Sequence, residues 1–243
     1  VIGGSAGIGD AVVRRFAQAG DSVLFCGTAA VKGEDRERLL RAEGLDVRFR
    51  QADVSQEPQV EACIEAALDL FGRLDHAVNS AGIYQFETPP ITDLDLDYWN
   101  RILAVDLTGT FLSMKHEIRA MLRGGGGSVV NIASGAALKP VPQTYAYVAA
   151  KHGLVGLSKT AALDFARQNV RVNVVCPGLV QTPMTAFLDT MDDETRGWFM
   201  KANAMERIGQ PDEIADAALW LCGPGAAFTT GVVLPVDGGY SIK

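Results

Sequence analysis

The run "TYAYVAAK", Thr144 to Lys151, puts two phenols near one ammonium. On a helix turning about 100° per residue, Tyr147 and Lys151 lie on one face. Tyr145 is six residues before the lysine and points away from it. A phenol with a pKa of ~10 is a poor base at neutral pH. An ammonium one turn away, and an oxidised nicotinamide beside it, both favour the phenolate. Moving the phenol by ~3 units takes ~4 kcal/mol of differential stabilisation. A partly buried ammonium plus a cofactor can supply that. Ser134, in "NIASG", stands where a strand ends, and its hydroxyl can hydrogen-bond a substrate oxygen and steady charge there. The chemistry would be proton exchange with a substrate oxygen. A Tyr/Lys pair at this spacing is equally what an ordinary amphipathic helix presents.

Such groups need a scaffold, and the chain supplies one. "GGSAGIGDAVVRRF" carries Gly3, Gly7 and Gly9 just before a helical pattern. Missing side chains there let the backbone approach a pyrophosphate at the positive end of a helix, beside Ser5 and Ile8. The same glycines also suit a tight strand–helix turn. In "QADVSQ", Asp53 can accept from an adenine amino group with Val54 flanking the ring, or it can cap the next helix. In "NSAG", Asn79 to Gly82, the small Ala81 and Gly82 leave room for a ribose.

Apolar runs at 22–27, 47–52, 74–79, 128–133, 170–175 and 232–236 alternate with helical patterns. The helical stretches are "DAVVRRFAQAG", "EDRERLLRAEG", "EPQVEACIEAALDLFG", "PDEIADAALWLCG" and two long segments near 98–123 and 145–168. That alternation predicts an α/β fold with a parallel sheet covered on both faces. No linker divides the chain, so a single domain over 1–243 is expected, with "GGGG" at 124–127 as a turn. The opening "VIGG" is short for a buried strand, and the chain is expected to begin inside its first strand.

The totals exclude several classes. Of 243 residues, 48% are hydrophobic and 21% charged, and the formal net charge is −7. An acidic chain is a poor partner for nucleic acid or an anionic membrane. No apolar run is long enough to span a bilayer, and no secretory leader is visible. The four cysteines are scattered, Cys26 and Cys176 within strands, and the three histidines form no ligand motif. No metal is expected, and the expected compartment is the cytoplasm.

Taken in order, Gly3-x-x-x-Gly7-Ile8-Gly9, Asp53–Val54, Asn79-Ser-Ala-Gly82, Ser134, Tyr147-x-x-x-Lys151, "RVNVVCPG", Thr182 and "VDGGY" resemble the short-chain dehydrogenase/reductase family over essentially the whole chain. The resemblance implies a Rossmann-type doubly wound sheet of about seven parallel strands, assembled as a homotetramer or homodimer. It makes Tyr147 the general acid/base, Lys151 the holder of the nicotinamide ribose and Ser134 the residue that orients the carbonyl. Pro177, Gly178, Val180 and Thr182 would border the nicotinamide. Three positions depart from the family pattern. Ile2 stands where threonine is usual, "NSAG" replaces "NNAG", and Asp106 in "AVDLTG" takes the place of an asparagine. In the family that residue helps hold a water near the lysine, largely through its backbone carbonyl. An aspartate keeps the carbonyl but cannot donate from its side chain. Ionised near Lys151, it would raise the lysine pKa and weaken the pull on Tyr147.

NAD-preferring relatives place a carboxylate at the end of the second strand. Here Gly27 and Thr28 stand there and no acid occurs before Glu34, so Ser5 and Thr28 can serve a 2′-phosphate. NADP is expected, with NAD as the alternative. The insertion at 184–205 spaces Phe187, Leu188, Met191, Trp198, Phe199 and Met200 as a helix would. It suits a lid over an apolar substrate, or a helix packed on the core. Lys139 is expected to be solvated. The function expected is interconversion of a secondary alcohol and a ketone, of 3-oxoacyl, sugar, polyol or other small-alcohol type. The alternative is a dinucleotide-binding regulator or scaffold with impaired chemistry.

Overall fold

The computed structural model describes residues 1–85 and 88–243. Among them, six parallel strands form the sheet: β1 (Val23–Gly27), β2 (Val47–Gln51), β3 (His76–Asn79), β4 (Gly127–Ile132), β5 (Val170–Pro177) and β6 (Val233–Val236). β1 pairs with β2, and β3, β4, β5 and β6 pair in that order. Ile2 joins the two halves, bridging Cys26 on one side and Asn79 on the other. About seven strands were expected; the seventh place, in the middle of the sheet, is held by this one residue. Gly3 follows with φ +79° and turns the backbone out of the ladder, so the strand cannot lengthen on that side.

β4 and β5 are buried on both faces, which is why their sequences run nearly unbroken in apolar residues. Alternate side chains go to opposite layers. Val130 and Val175 pack with Val12 and Phe16 of α1 (Gly7–Gln18), Leu40 of α2 (Ala30–Ala42), and Ile214 and Leu221 of α8 (Pro211–Cys222). Val129 and Val172 pack with Met114, Ile118 and Met121 of α5 (Gly109–Arg123) and with Ala161 and Ala162 of α6 (Tyr145–Phe165). α3 (Glu57–Phe71) lies on the second side, with Val60 and Cys63 against Leu112 of α5.

The long segment expected near 98–123 is interrupted. α4 (Leu96–Leu103) runs into a π-helical turn, Ala104–Thr108, before α5 begins. Such an extra residue in the helical ladder often marks a functional position, and Asp106 sits on this one. The insertion at 184–205 also divides, into a 3₁₀ stretch, Pro183–Thr190, and α7 (Asp193–Met200). Met191 ends the first, and Asp192 starts the second by accepting from the Thr195 N–H at 2.8 Å. Among the described residues, no helix is long and apolar enough to cross a membrane.

Candidate active site

In a parallel sheet of this kind, the strand ends at the carboxyl edge enclose the ligand crevice. Here they border a groove of about 560 Å³ and, beyond it, a chamber of about 300 Å³. Gly3, Ser5, Gly7, Ile8 and Thr28 line the groove at one end. Asp53, Val54, Ala81 and Gly82 line its middle, and Tyr147, Lys151 and Thr182 close it. Pro177, Gly178 and Val180 border the chamber, together with Ser134 and Tyr147. Tyr145 lines neither, so the phenol at 147 is the one placed for chemistry.

The glycine turn fits a dinucleotide phosphate. A Cβ on Gly7 would lie 3.2 Å from the Thr182 side chain across the groove. One on Gly9 would fall 2.1 Å from the Gly3 carbonyl, so bare backbone is what lets α1 start against the turn. No side chain caps the N-terminus of α1, whose first N–H groups are left for an anion. Asp53 does not cap α3, whose N-cap is Gln56. Its Oδ1 accepts from the N–H and hydroxyl of Ser55 at 2.9 and 2.7 Å.

Two predicted residues lie behind the walls. Asn79 is buried under the groove, where its Nδ2 donates to Glu117 Oε2 and Asn131 Oδ1, each at 2.9 Å. Asp106 is fully buried, with Oδ2 3.2 Å from Lys151 Nζ. Its Oδ1 accepts from the Ile83 N–H at 2.9 Å, and its carbonyl accepts from the Thr110 hydroxyl at 3.4 Å. Gly82 makes room for the pair: a Cβ there would meet Asp106 Oδ2 at 3.0 Å. Lys151 Nζ also approaches the Ile132 carbonyl at 3.4 Å and lies 5.4 Å from the Tyr147 ring centroid.

The balance of charge differs from a simple lysine–phenol pair. Burial pushes the Tyr147 phenol above its ordinary value; Lys151 and a hydrogen bond with Ser134 pull it down, and Asp106 pushes it up again. The net direction is upward. Burial draws Lys151 down, but Asp106 and Tyr147 more than offset that, and the ammonium is held above its usual range. Burial also raises Asp106, against the pull of Lys151 and the Ile83 N–H. The lysine therefore acts on the phenol with the expected sign, but the neighbouring Asp106 carboxylate opposes it.

Asp106→Asn removes that opposing charge. The rising limb of the pH–kcat profile for alcohol oxidation should move to lower pH, because the phenol is then lowered by an unneutralised ammonium. A profile that stays in place would show that the carboxylate carries no electrostatic role.

Sequence patterns missed one neighbour. Tyr84 meets the Tyr147 ring edge-on at 5.0 Å, and burial pushes its phenol up to about 12. Its position just past the "NSAG" turn was the available signal. Phe187, Trp198 and Phe199 line the chamber, and α7 buries none of its residues. Lys139, expected in solvent, instead donates to the Tyr240 carbonyl at 3.3 Å and lies 4.5 Å over that ring.

Comparison with known proteins agrees with this geometry. A family model described as enoyl-(acyl carrier protein) reductase matches residues 3–241. The 2,5-dichloro-2,5-cyclohexadiene-1,4-diol dehydrogenase of Sphingobium indicum is 37% identical, covering 99% of this chain and 95% of that protein. Cyclohexanol dehydrogenase of an Acinetobacter species is 34% identical, covering 100% and 94%. A crystal structure of actinorhodin polyketide ketoreductase with NADPH superposes with a TM-score of 0.94 at 33% identity, covering 100% and 96%. The chain belongs to the short-chain dehydrogenase/reductase family. It is an oxidoreductase that interconverts alcohol and ketone with a nicotinamide dinucleotide.

Proposed function

We propose that this enzyme oxidises uncharged cyclic secondary alcohols, and reduces the matching ketones, with NADP(H). The observation that carries the substrate class is the chamber: none of the described side chains lining it is charged, and Tyr84, Phe187, Trp198, Phe199 and Tyr240 give it aromatic walls. An apolar ring fits such walls, and a substrate carboxylate or phosphate would find no cation among the described side chains there. The dehydrogenases from Sphingobium and Acinetobacter bear names for ring alcohols, which supports the same class. A 3-oxoacyl substrate on an acidic carrier is less well served, because the described residues lining the chamber include no cation. A regulator without chemistry would have no use for Ser134, Tyr147 and Lys151 at one junction.

The roles follow from placement. The dinucleotide, when bound, supplies the hydride acceptor or donor and, oxidised, a positive charge. Tyr147 exchanges the proton with the substrate oxygen, Ser134 hydrogen-bonds that oxygen, and Lys151, from beneath the phenol, favours its ionised form. The segment 184–205 serves as a lid, since its aromatic residues face the chamber rather than the core. Preference for NADP rests on the groove wall at the end of β1, where Gly27, Thr28 and Ser5 present no carboxylate. Assembly as a homotetramer would cover Phe111 and Leu122 on α5 and Leu163 on α6, the last 81% exposed.

Nicotinamide absorbance with cyclohexanol, cyclohexanone, glucose and a 3-oxoacyl thioester tests this directly. The ring substrates should give the highest kcat/KM, and NADP(H) should exceed NAD(H). Faster turnover of glucose or the thioester would overturn the substrate class; equal kcat/KM for both cofactors would overturn the preference.

A further inference from the structure

We infer that Arg101 is a cofactor-binding residue whose guanidinium pairs with a phosphate of the dinucleotide. This rests on the groove being the dinucleotide site. The charges lining that groove are Asp53, Arg101 and Lys151. Lys151 is answered by Asp106 at 3.2 Å, so the pair contributes little net charge to a ligand. Without Arg101 the one unpaired side-chain charge among the described residues lining the groove would be the Asp53 carboxylate, beside the N–H groups of the glycine turn and within a chain of net charge −7. Like charges at that approach are unfavourable.

Arg101 is placed to correct this. It lies in the last turn of α4, one turn before Val105, and both line the groove with Ala104. Val105 packs with Val54 and Ala81, which fixes this face of the helix against the groove wall. The arginine side chain is exposed, and no carboxylate among the described residues pairs with it; other unpaired arginines, such as Arg167, lie outside the groove. A free guanidinium on the wall of a phosphate-binding groove has the planar donor set that phosphate oxygens take.

The test is calorimetric titration of the ligand-free enzyme with NADPH and with NADH. Arg101→Gln should weaken binding about tenfold, the change expected for one partly exposed charge-assisted contact, and flatten the salt dependence of Kd. Arg101→Lys should recover part of the loss. Arg167→Gln, the same charge change at an exposed site outside the groove, should leave Kd unchanged. Equal losses for both dinucleotides assign the pyrophosphate; a larger loss for NADPH assigns the 2′-phosphate. Unchanged affinity for both in a variant of wild-type melting temperature would overturn the assignment alone. Wild-type enzyme that binds neither dinucleotide would overturn the groove's identity, and the assignment with it.

Discussion

Tyr147→Phe should lower kcat for alcohol oxidation by about 10³-fold, within the range that a positioned general acid/base contributes. The substitution removes one oxygen and little else. The ring keeps its edge-on contact with Tyr84 at 5.0 Å and its place beside the Lys151 ammonium. Dinucleotide binding should persist, which separates lost chemistry from a lost site. The variant should also lose the rise of kcat with pH. In the wild type that rise belongs to a phenol that burial and Asp106 hold above its ordinary value. Activity therefore grows toward alkaline pH, as the group must be ionised to accept the alcohol proton. Steady-state rates across pH for both proteins supply the check. A phenylalanine variant that turns over at the wild-type rate would remove the phenol from the mechanism.

What the sequence disclosed and what it hid divide along physical lines. β4 and β5 could be read because strands buried on both faces must be apolar throughout, whatever their neighbours are. The pairing of Tyr147 with Lys151 could be read because four residues on a helix bring two side chains together without tertiary help. The first strand could not be measured from "VIGG", since Ile2 gains its sheet partners only from Cys26 and Asn79, far along the chain. Nor could the weight of Asp106 be settled. Its substitution for asparagine was visible, but its 3.2 Å approach to Lys151 depends on the π-helical turn and on the absent Cβ of Gly82. Arg101 and Glu117 were silent for a related reason. Each is an ordinary helix residue by pattern, and only the packing of its helix sends one to a groove and the other into the core.

Glu117→Gln should raise stability by on the order of 3 kcal/mol at about pH 8, and should change it little at about pH 5. Glu117 is 1% exposed. Burial pushes its pKa up to about 7, from 4.5, and the hydrogen bond from Asn79 only partly restrains that rise. A folded pKa above the unfolded one means stability that is complete below about 4.5 and is lost as pH climbs through about 7. Above that, the folded protein holds a buried carboxylate while the unfolded chain solvates it freely. Glutamine copies the neutral acid in shape and in hydrogen bonding. The network has a place for its donor, because Asn79 Oδ1 has no partner while Asn79 Nδ2 is shared between Glu117 and Asn131. Asn131 in turn donates to the Ser158 hydroxyl at 2.8 Å, so the acid, two amides and hydroxyl tie α5, β3, β4 and α6 together beneath the groove. Denaturant melts at several pH values would show the wild type losing stability from acid to neutral pH and the variant holding level. Parallel curves for the two proteins would mean that Glu117 is ionised throughout, and that its charge is compensated within the fold.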